Sequence, residues 1–223
     1  MRTKHTTVYT YDELTDKAKE RARNWYRQGH FDYEWWDYLY EDFAKRAQEL
    51  GIELRQKPVL LINGNTHYAP EIYFSGFYHQ GSGSSFSGTW RADAMNINKL
   101  KTECPTDKEL HRIADVLADC AKEDGEATAT ICAKRDSWIG VIVEDGNTVM
   151  EHWDALDPES AEYEQIKQGC QDRKDAITEA LRDFNHWMYR CLEQEYDWLN
   201  SDEQVEDAII ANEYEFTKDG QCA

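Results

Sequence analysis

The stretch EIYFSGFYHQGSGSSFSGTW, Glu71 to Trp90, constrains this chain more than any other. Ile72, Phe74 and Gly76 alternate with Tyr73, Ser75 and Phe77; Phe86, Gly88 and Trp90 alternate with Ser85, Ser87 and Thr89. A period of two sends successive side chains to opposite faces of a strand, so the spacing predicts a two-stranded hairpin. Tyr78–Ser84 joins the arms with two glycines, two serines, a His and a Gln, and no formal charge. Gly76 and Gly88 stand among bulky neighbours, which signals either room for a ring or the close approach of another backbone.

Helical periodicity surrounds the hairpin. Ala18, Ala22, Trp25 and Tyr26 predict a helix over Asp16–Gln28, with Thr15 as N-cap and Gly29 as terminator. An aromatic helix is expected over Tyr33–Leu50, its stripe formed by Trp36, Leu39 or Tyr40, Phe43, Ala47 and Leu50, with Trp35 to the side. Strands follow at Ile52–Leu54 and Pro58–Ile62, the second running into the turn signal Asn63-Gly64. Ala92–Leu100 is expected as a short helix. Pro105-Thr106-Asp107 starts a longer one with Leu110, Ile113, Ala114, Leu117 and Ala121 as its stripe. Ala127–Ala133, Trp138–Glu144 and Thr148–Trp153 predict a meander, and Asp154–Glu159 a linker. Ile177, Leu181, Phe184, Met188, Cys191, Glu195 and Trp198 mark a long helix over Asp172–Asn200, about 40 Å at the helical rise. Its short seam, with Glu195 in it, favours packing on the sheet over a free coiled coil. A last helix is capped by Ser201, and an edge strand is expected at Glu213–Thr217. The expected architecture is one α+β domain over residues 1–223: a mostly antiparallel sheet with helices packed on it, including one long C-terminal helix.

The surface is strongly acidic: 44 Asp and Glu against 25 Lys and Arg give a net charge of -19. Such a surface repels nucleic-acid backbones and anionic membranes and favours basic partners. MRTKHTTVY lacks the apolar core of a secretory leader, and no run approaches the ~18 apolar residues of a membrane span. Six cysteines without a CxxC pair read as reduced thiols. These features predict a cytoplasmic protein.

Catalytic and metal motifs are sparse. Seven histidines form no HExxH, and the cysteines do not stand at zinc spacing. There is no GxSxG elbow. Ser82, Ser84 and Ser85 beside His79, and the run Glu151-His152-Trp153-Asp154, are the local clusters that could carry acid–base or nucleophilic chemistry. QGSGSSFSG lacks the lysine and the strand–loop–helix setting of a phosphate loop, although its amides could form an anion nest. Trp35 and Trp36 read as core packing or as an interface anchor.

Three blocks together resemble a known family. They are TYDELTDKAKERARNWYR followed by WWDYLYEDFAKRAQELGIEL, then IYFSGFYHQGSGSSFSGTWR, then ITEALRDFNHWMYRCLEQEYDWLNSDEQVEDAIIANEYEFTKDG. The family occurs in bacteriophage genomes and carries the label "antitoxin of toxin–antitoxin stability system". The resemblance implies a non-enzymatic protein, without cofactor or catalytic residues, that neutralises a target by binding it in the host bacterial cytoplasm. A basic or nucleic-acid-binding host protein is the partner that the acidity favours, and Trp35, Trp36, Tyr78, His79, Gln80 and Ser82 are the candidate contact residues. A nucleotide sponge using the Gln80–Ser84 loop, or a hydrolase acting through Asp, Glu or His, are the alternatives.

Overall fold

The computed structural model describes residues 7–29, 34–123, 125–133, 140–145, 157 and 159–223. Helices α1 (Asp16–Gly29) and α2 (Asp37–Glu49) lead into six short strands: β1 (Ile52–Leu54), β2 (Gln56–Leu60), β3 (Thr66–Pro70), β4 (Ile72–Phe74), β5 (Ser84–Phe86) and β6 (Gly88–Arg91). Helices α3 (Ile97–Glu103) and α4 (Lys108–Glu123) follow, then strands β7 (Thr128–Ala133) and β8 (Val141–Asp145), then helices α5 (Ala161–Leu199) and α6 (Asp202–Ala211). The fold is α+β, and every strand pair described is antiparallel. No helix among the described residues is long and apolar enough to cross a membrane.

The chain divides into two compact units, Met1–Asp37 with Leu192–Ala223, and Tyr38–Cys191. In the first, Ala18 and Ala22 of α1 lie one turn apart and are buried with Tyr11, Leu14, Val205, Ile209 and Phe216. Ser201 caps α6 by accepting from Gln204 N. The Tyr11 hydroxyl donates to Glu206 Oε1 at 2.8 Å, and Arg23 Nη1 donates to both groups. Burial, reinforced by the Glu206 hydrogen bond, pushes the Tyr11 phenol up to about 12. The edge strand expected at Glu213–Thr217 reduces to isolated bridges from Phe216 to Tyr9 and to Cys222.

In the second unit the expected hairpin proves to be one arm of a three-way junction. Arg55, Glu71 and Ser87 each separate two consecutive strands, and their backbones bond in a ring. Arg55 N donates to Ser87 O (2.8 Å), Ser87 N to Glu71 O (3.1 Å) and Glu71 N to Arg55 O (2.7 Å). On one side β4 pairs with β5, Ile72 opposite Phe86 and Phe74 opposite Ser84. On another, β2 pairs with β3 around Asn63-Gly64. On the third, β6 pairs with β1 and β7 in a sheet ordered β1-β6-β7-β8. The second arm of the Glu71–Trp90 pattern therefore changes partner at Ser87. Gly88 shows why: a Cβ there would lie 2.5 Å from Glu53 O, so only glycine lets β1 come this near. Gly76 differs, since a Cβ there would meet nothing within 4 Å; its φ of +86° is what favours glycine.

Helix α5 covers this arm. Ile177, Leu181, Phe184 and Met188 are buried, and the Phe184 ring stands edge-on to Phe86 at 5.7 Å. Trp187 stacks on Phe184 and meets Phe43 of α2, whose stripe continues through the buried Ala47 and Leu50. Arg46, also buried, pairs with Glu49 and with Glu103 of α3. Helix α5 starts at Ala161, eleven residues before the expected start. Ser160 Oγ accepts from Tyr163 N and caps it, and none of the residues 161–176 is buried, so no strong apolar stripe announces this half. Helix α2 starts at Asp37, after Trp35 and Trp36; Tyr33 lies outside the described residues. So do the expected strand Thr148–Trp153 and most of the linker after it.

Phe184→Ala should lower stability by about 3–5 kcal/mol in a denaturant titration, the cost of emptying a fully buried aromatic site. Gly88→Ala should cost about 1–3 kcal/mol or more, because the obstructing atom is backbone and cannot rotate away. A wild-type midpoint in either variant would contradict the packing described.

Candidate functional site

The β4–β5 arm ends in a loop that is fixed from below and from within. Phe77 is buried, its ring 5.7 Å from Phe74 and 5.5 Å from Tyr189 of α5. The Tyr189 hydroxyl donates to Gly76 O at 3.0 Å. Ser75 N donates to Gly83 O (3.0 Å) and Ser75 Oγ to Gly81 O (2.7 Å). At the tip, Ser82 N donates to His79 O while His79 N donates to Ser82 Oγ, both at 3.0 Å. Two amides and the Ser82 hydroxyl that an anion nest would use are thus engaged by the loop itself.

These bonds hold Tyr78 at φ +62°. A bulky residue in the left-handed region costs on the order of 1–3 kcal/mol and persists only where its surroundings over-determine it. The side chain so presented is 66% exposed, and His79 and Gln80 beside it are also exposed. Residues 72–92 contain no Asp or Glu, in a chain that has 44. The site is a neutral patch, an aromatic ring flanked by an imidazole and an amide, on an otherwise acidic protein. At the base of the arm, burial and then the Glu71 carboxylate raise the Tyr73 phenol above its ordinary value.

The serines near His79 have structural duties. Ser84 Oγ donates to the Asn185 main-chain and side-chain oxygens (3.0 and 3.1 Å), and Asn185 Nδ2 returns a bond to Ser84 O. Ser87 Oγ accepts from Ala133 N. Ser85 is fully buried and its hydroxyl has no hydrogen-bond partner among the described residues. Among the described residues no group of three His, Cys, Asp or Glu is placed to hold a metal ion. The run Glu151–Asp154 lies outside the described residues.

Of the six residues singled out from sequence, Tyr78, His79, Gln80 and Ser82 come together on this loop. Trp35 and Trp36 belong to the other unit. Trp35 is buried, edge-on to Trp36 at 5.4 Å and 6.0 Å from Tyr196, while Trp36 is half-buried. Sequence reasoning missed Asn185 and Tyr189, which clamp the arm; the readable signal was a polar Asn directly after the seam residue Phe184.

A family model described as "Domain of unknown function (DUF8835)" matches residues 35–202. The chain belongs to this family. The DUF8835 match takes in the whole Tyr38–Cys191 unit and all six candidate residues. No curated protein and no solved structure matches the chain, so the DUF8835 site is read from its own geometry.

The two buried serines should respond oppositely to truncation. Ser84→Ala leaves Asn185 Oδ1 without the Ser84 donor, while the Nδ2 bond to Ser84 O persists, and should cost about 1–3 kcal/mol. Ser85→Ala removes a buried hydroxyl that has no hydrogen-bond partner among the described residues and should leave stability unchanged or raise it by up to about 1 kcal/mol. Equal losses in chemical denaturation would mean that Ser85 has a partner.

Proposed function

We propose that this protein acts by binding another protein stoichiometrically, presenting the Tyr78–Ser82 loop as the contact surface. The observation that carries the reading is Tyr78, a strained aromatic held outward by a loop that is bonded internally and anchored on α5. Aromatic side chains on pre-organised backbone lose little entropy on docking and recur as interface hot spots. The net charge of -19 would speed the approach of a basic target, and the carboxylate-free loop would then make the close contact. Within this reading the role suggested by the resemblance is a phage-encoded antitoxin or counter-defence protein that neutralises a host protein in the bacterial cytoplasm. The family description adds no activity to it.

Affinity pull-down from bacterial lysate, at low and physiological salt, tests the reading directly. Recovery of no specific partner at either salt would count against it. With a partner in hand, His79→Ala with Gln80→Ala should weaken binding by at least about 1 kcal/mol and change stability by less than about 0.5 kcal/mol. Tyr78→Gly should weaken binding further, by about 2 kcal/mol, while the melting temperature holds or rises, because glycine accepts the left-handed backbone without strain. Unchanged affinity in both variants would remove the loop from the interface.

A further inference from the structure

Asn63-Gly64 joins β2 to β3, and it is the only Asn-Gly pair among nine asparagines in the chain. One face of this hairpin is tied to the β4–β5 arm: Lys57 Nζ donates to Ile72 O at 3.3 Å and lies 4.0 Å over the Tyr73 ring. The other face, with Pro58, Leu60, Thr66 and Tyr68, is exposed and mostly apolar. Residues 60–68 are exposed without a break, Ile62 fully so. The tip is closed by main-chain bonds from Leu61 N to Asn65 O (2.8 Å) and from Gly64 N to Leu61 O (2.9 Å). Exposed hydrogen bonds at the end of a two-stranded ribbon open locally at little cost.

The Asn63 side chain is set up as an electrophile. Asn65 N donates to Asn63 Oδ1 at 3.0 Å. That oxygen is where negative charge collects when a nucleophile attacks Cγ, so the Asn65 amide stands as an oxyanion donor. Asn63 Nδ2, the group that would leave, has no hydrogen bond among the described residues. The nucleophile is the next main-chain nitrogen, Gly64 N, which reaches Cγ by closing a succinimide ring. Gly64 has no Cβ to hinder the approach. Its N–H is held by Leu61 O, so attack waits for that one bond to open.

We propose that Asn63 is a self-modifying site. Water or a buffer base takes the Gly64 N–H proton, Gly64 N bonds to Asn63 Cγ, and the Cγ–Nδ2 bond breaks. Nδ2 gains a proton and leaves as ammonia. Water then adds to either carbonyl of the succinimide and breaks its bond to Gly64 N. Opening at Cγ leaves an aspartyl residue; opening at the main-chain carbonyl leaves an isoaspartyl link. Either product puts a carboxylate at the end of the apolar face, where residues 54–70 have none. The isoaspartyl form also adds a methylene to the main chain inside the turn, between the paired Leu61 and Asn65.

Other asparagines lack this combination. Asn65 shares the exposed tip but precedes Thr66, whose branched side chain hinders ring closure. Asn185, Asn200 and Asn212 each donate through Nδ2, to Ser84 O, Tyr196 O and Ala208 O.

Peptide mapping by mass spectrometry of the folded full chain, sampled during incubation in neutral buffer, tests the proposal. Asn63 should convert first, gaining the mass of an NH2-to-OH exchange, with ammonia released in step and Asn65 intact. Fragmentation that separates isoaspartyl from aspartyl links should find both. Gly64→Ala should slow conversion at least about tenfold, because the added Cβ stands beside the attacking nitrogen. Asn63→Gln, whose longer side chain would have to close a larger ring, should release no early ammonia. In guanidinium chloride, with the Leu61 bond gone, wild-type conversion should run faster by no more than about a hundredfold, since opening the tip is local. Slower reaction in the folded chain than that limit overturns the proposal. So does earlier reaction at another asparagine, or a Gly64→Ala chain that converts as fast as wild type.

Discussion

The second unit depends on a ring of three backbone hydrogen bonds. Main-chain donors and acceptors must be satisfied, and a strand that changes partner leaves both groups of one residue without a ladder. Arg55, Glu71 and Ser87 are three such residues, and each supplies what the next one lacks. The ring lets strands of three to five residues form three separate pairings while the chain passes straight through the crossing. One arm grows into the four-stranded sheet, one carries the loop with Tyr78, and one carries the outward apolar face.

Helix α5 turns a fragile arm into a rigid one. Asn185 and Tyr189 are four residues apart and so lie on one helical face. The first grips the arm at Ser84, the second at Gly76 next to the loop. Phe184 meets Phe86 between the strands, and Phe77 fills the space beneath the tip. Both ends of the loop are thereby tied to one element, which makes a left-handed Tyr78 sustainable.

What could be read from sequence was what local periodicity encodes. Helix α1 ends within one residue of expectation, the Phe43–Ala47–Leu50 stripe is buried, and Ile177 to Met188 face inward as their spacing requires. The junction was not legible, because a change of partner at Ser87 leaves the alternation of side chains intact; only Gly88 hinted that another backbone comes close. The first half of α5 escaped because it is mostly polar and none of its residues is fully buried, so the apolar period is faint there. The loop could be located as a tip from its glycines and serines, but the conformation of Tyr78 could not, since tyrosine carries no signal for positive φ. The burial of Trp35 depends on a turn before α2 that the aromatic run concealed.

A junction of this kind also governs how such a chain can vary in length. One residue added to a strand beside the ring would shift its register against its partner, and against two partners at once in β6; a single-residue slip reverses which side chains face the core. The tips are exempt. Around Asn63-Gly64 and Gln80-Gly81 the chain is exposed and joins strands whose register is already set at the other end. Insertions and deletions among family members should therefore collect at these two tips, and strand lengths around Arg55, Glu71 and Ser87 should be held constant. The two arms can be extended or trimmed independently, as if each were a separate graft on one stem.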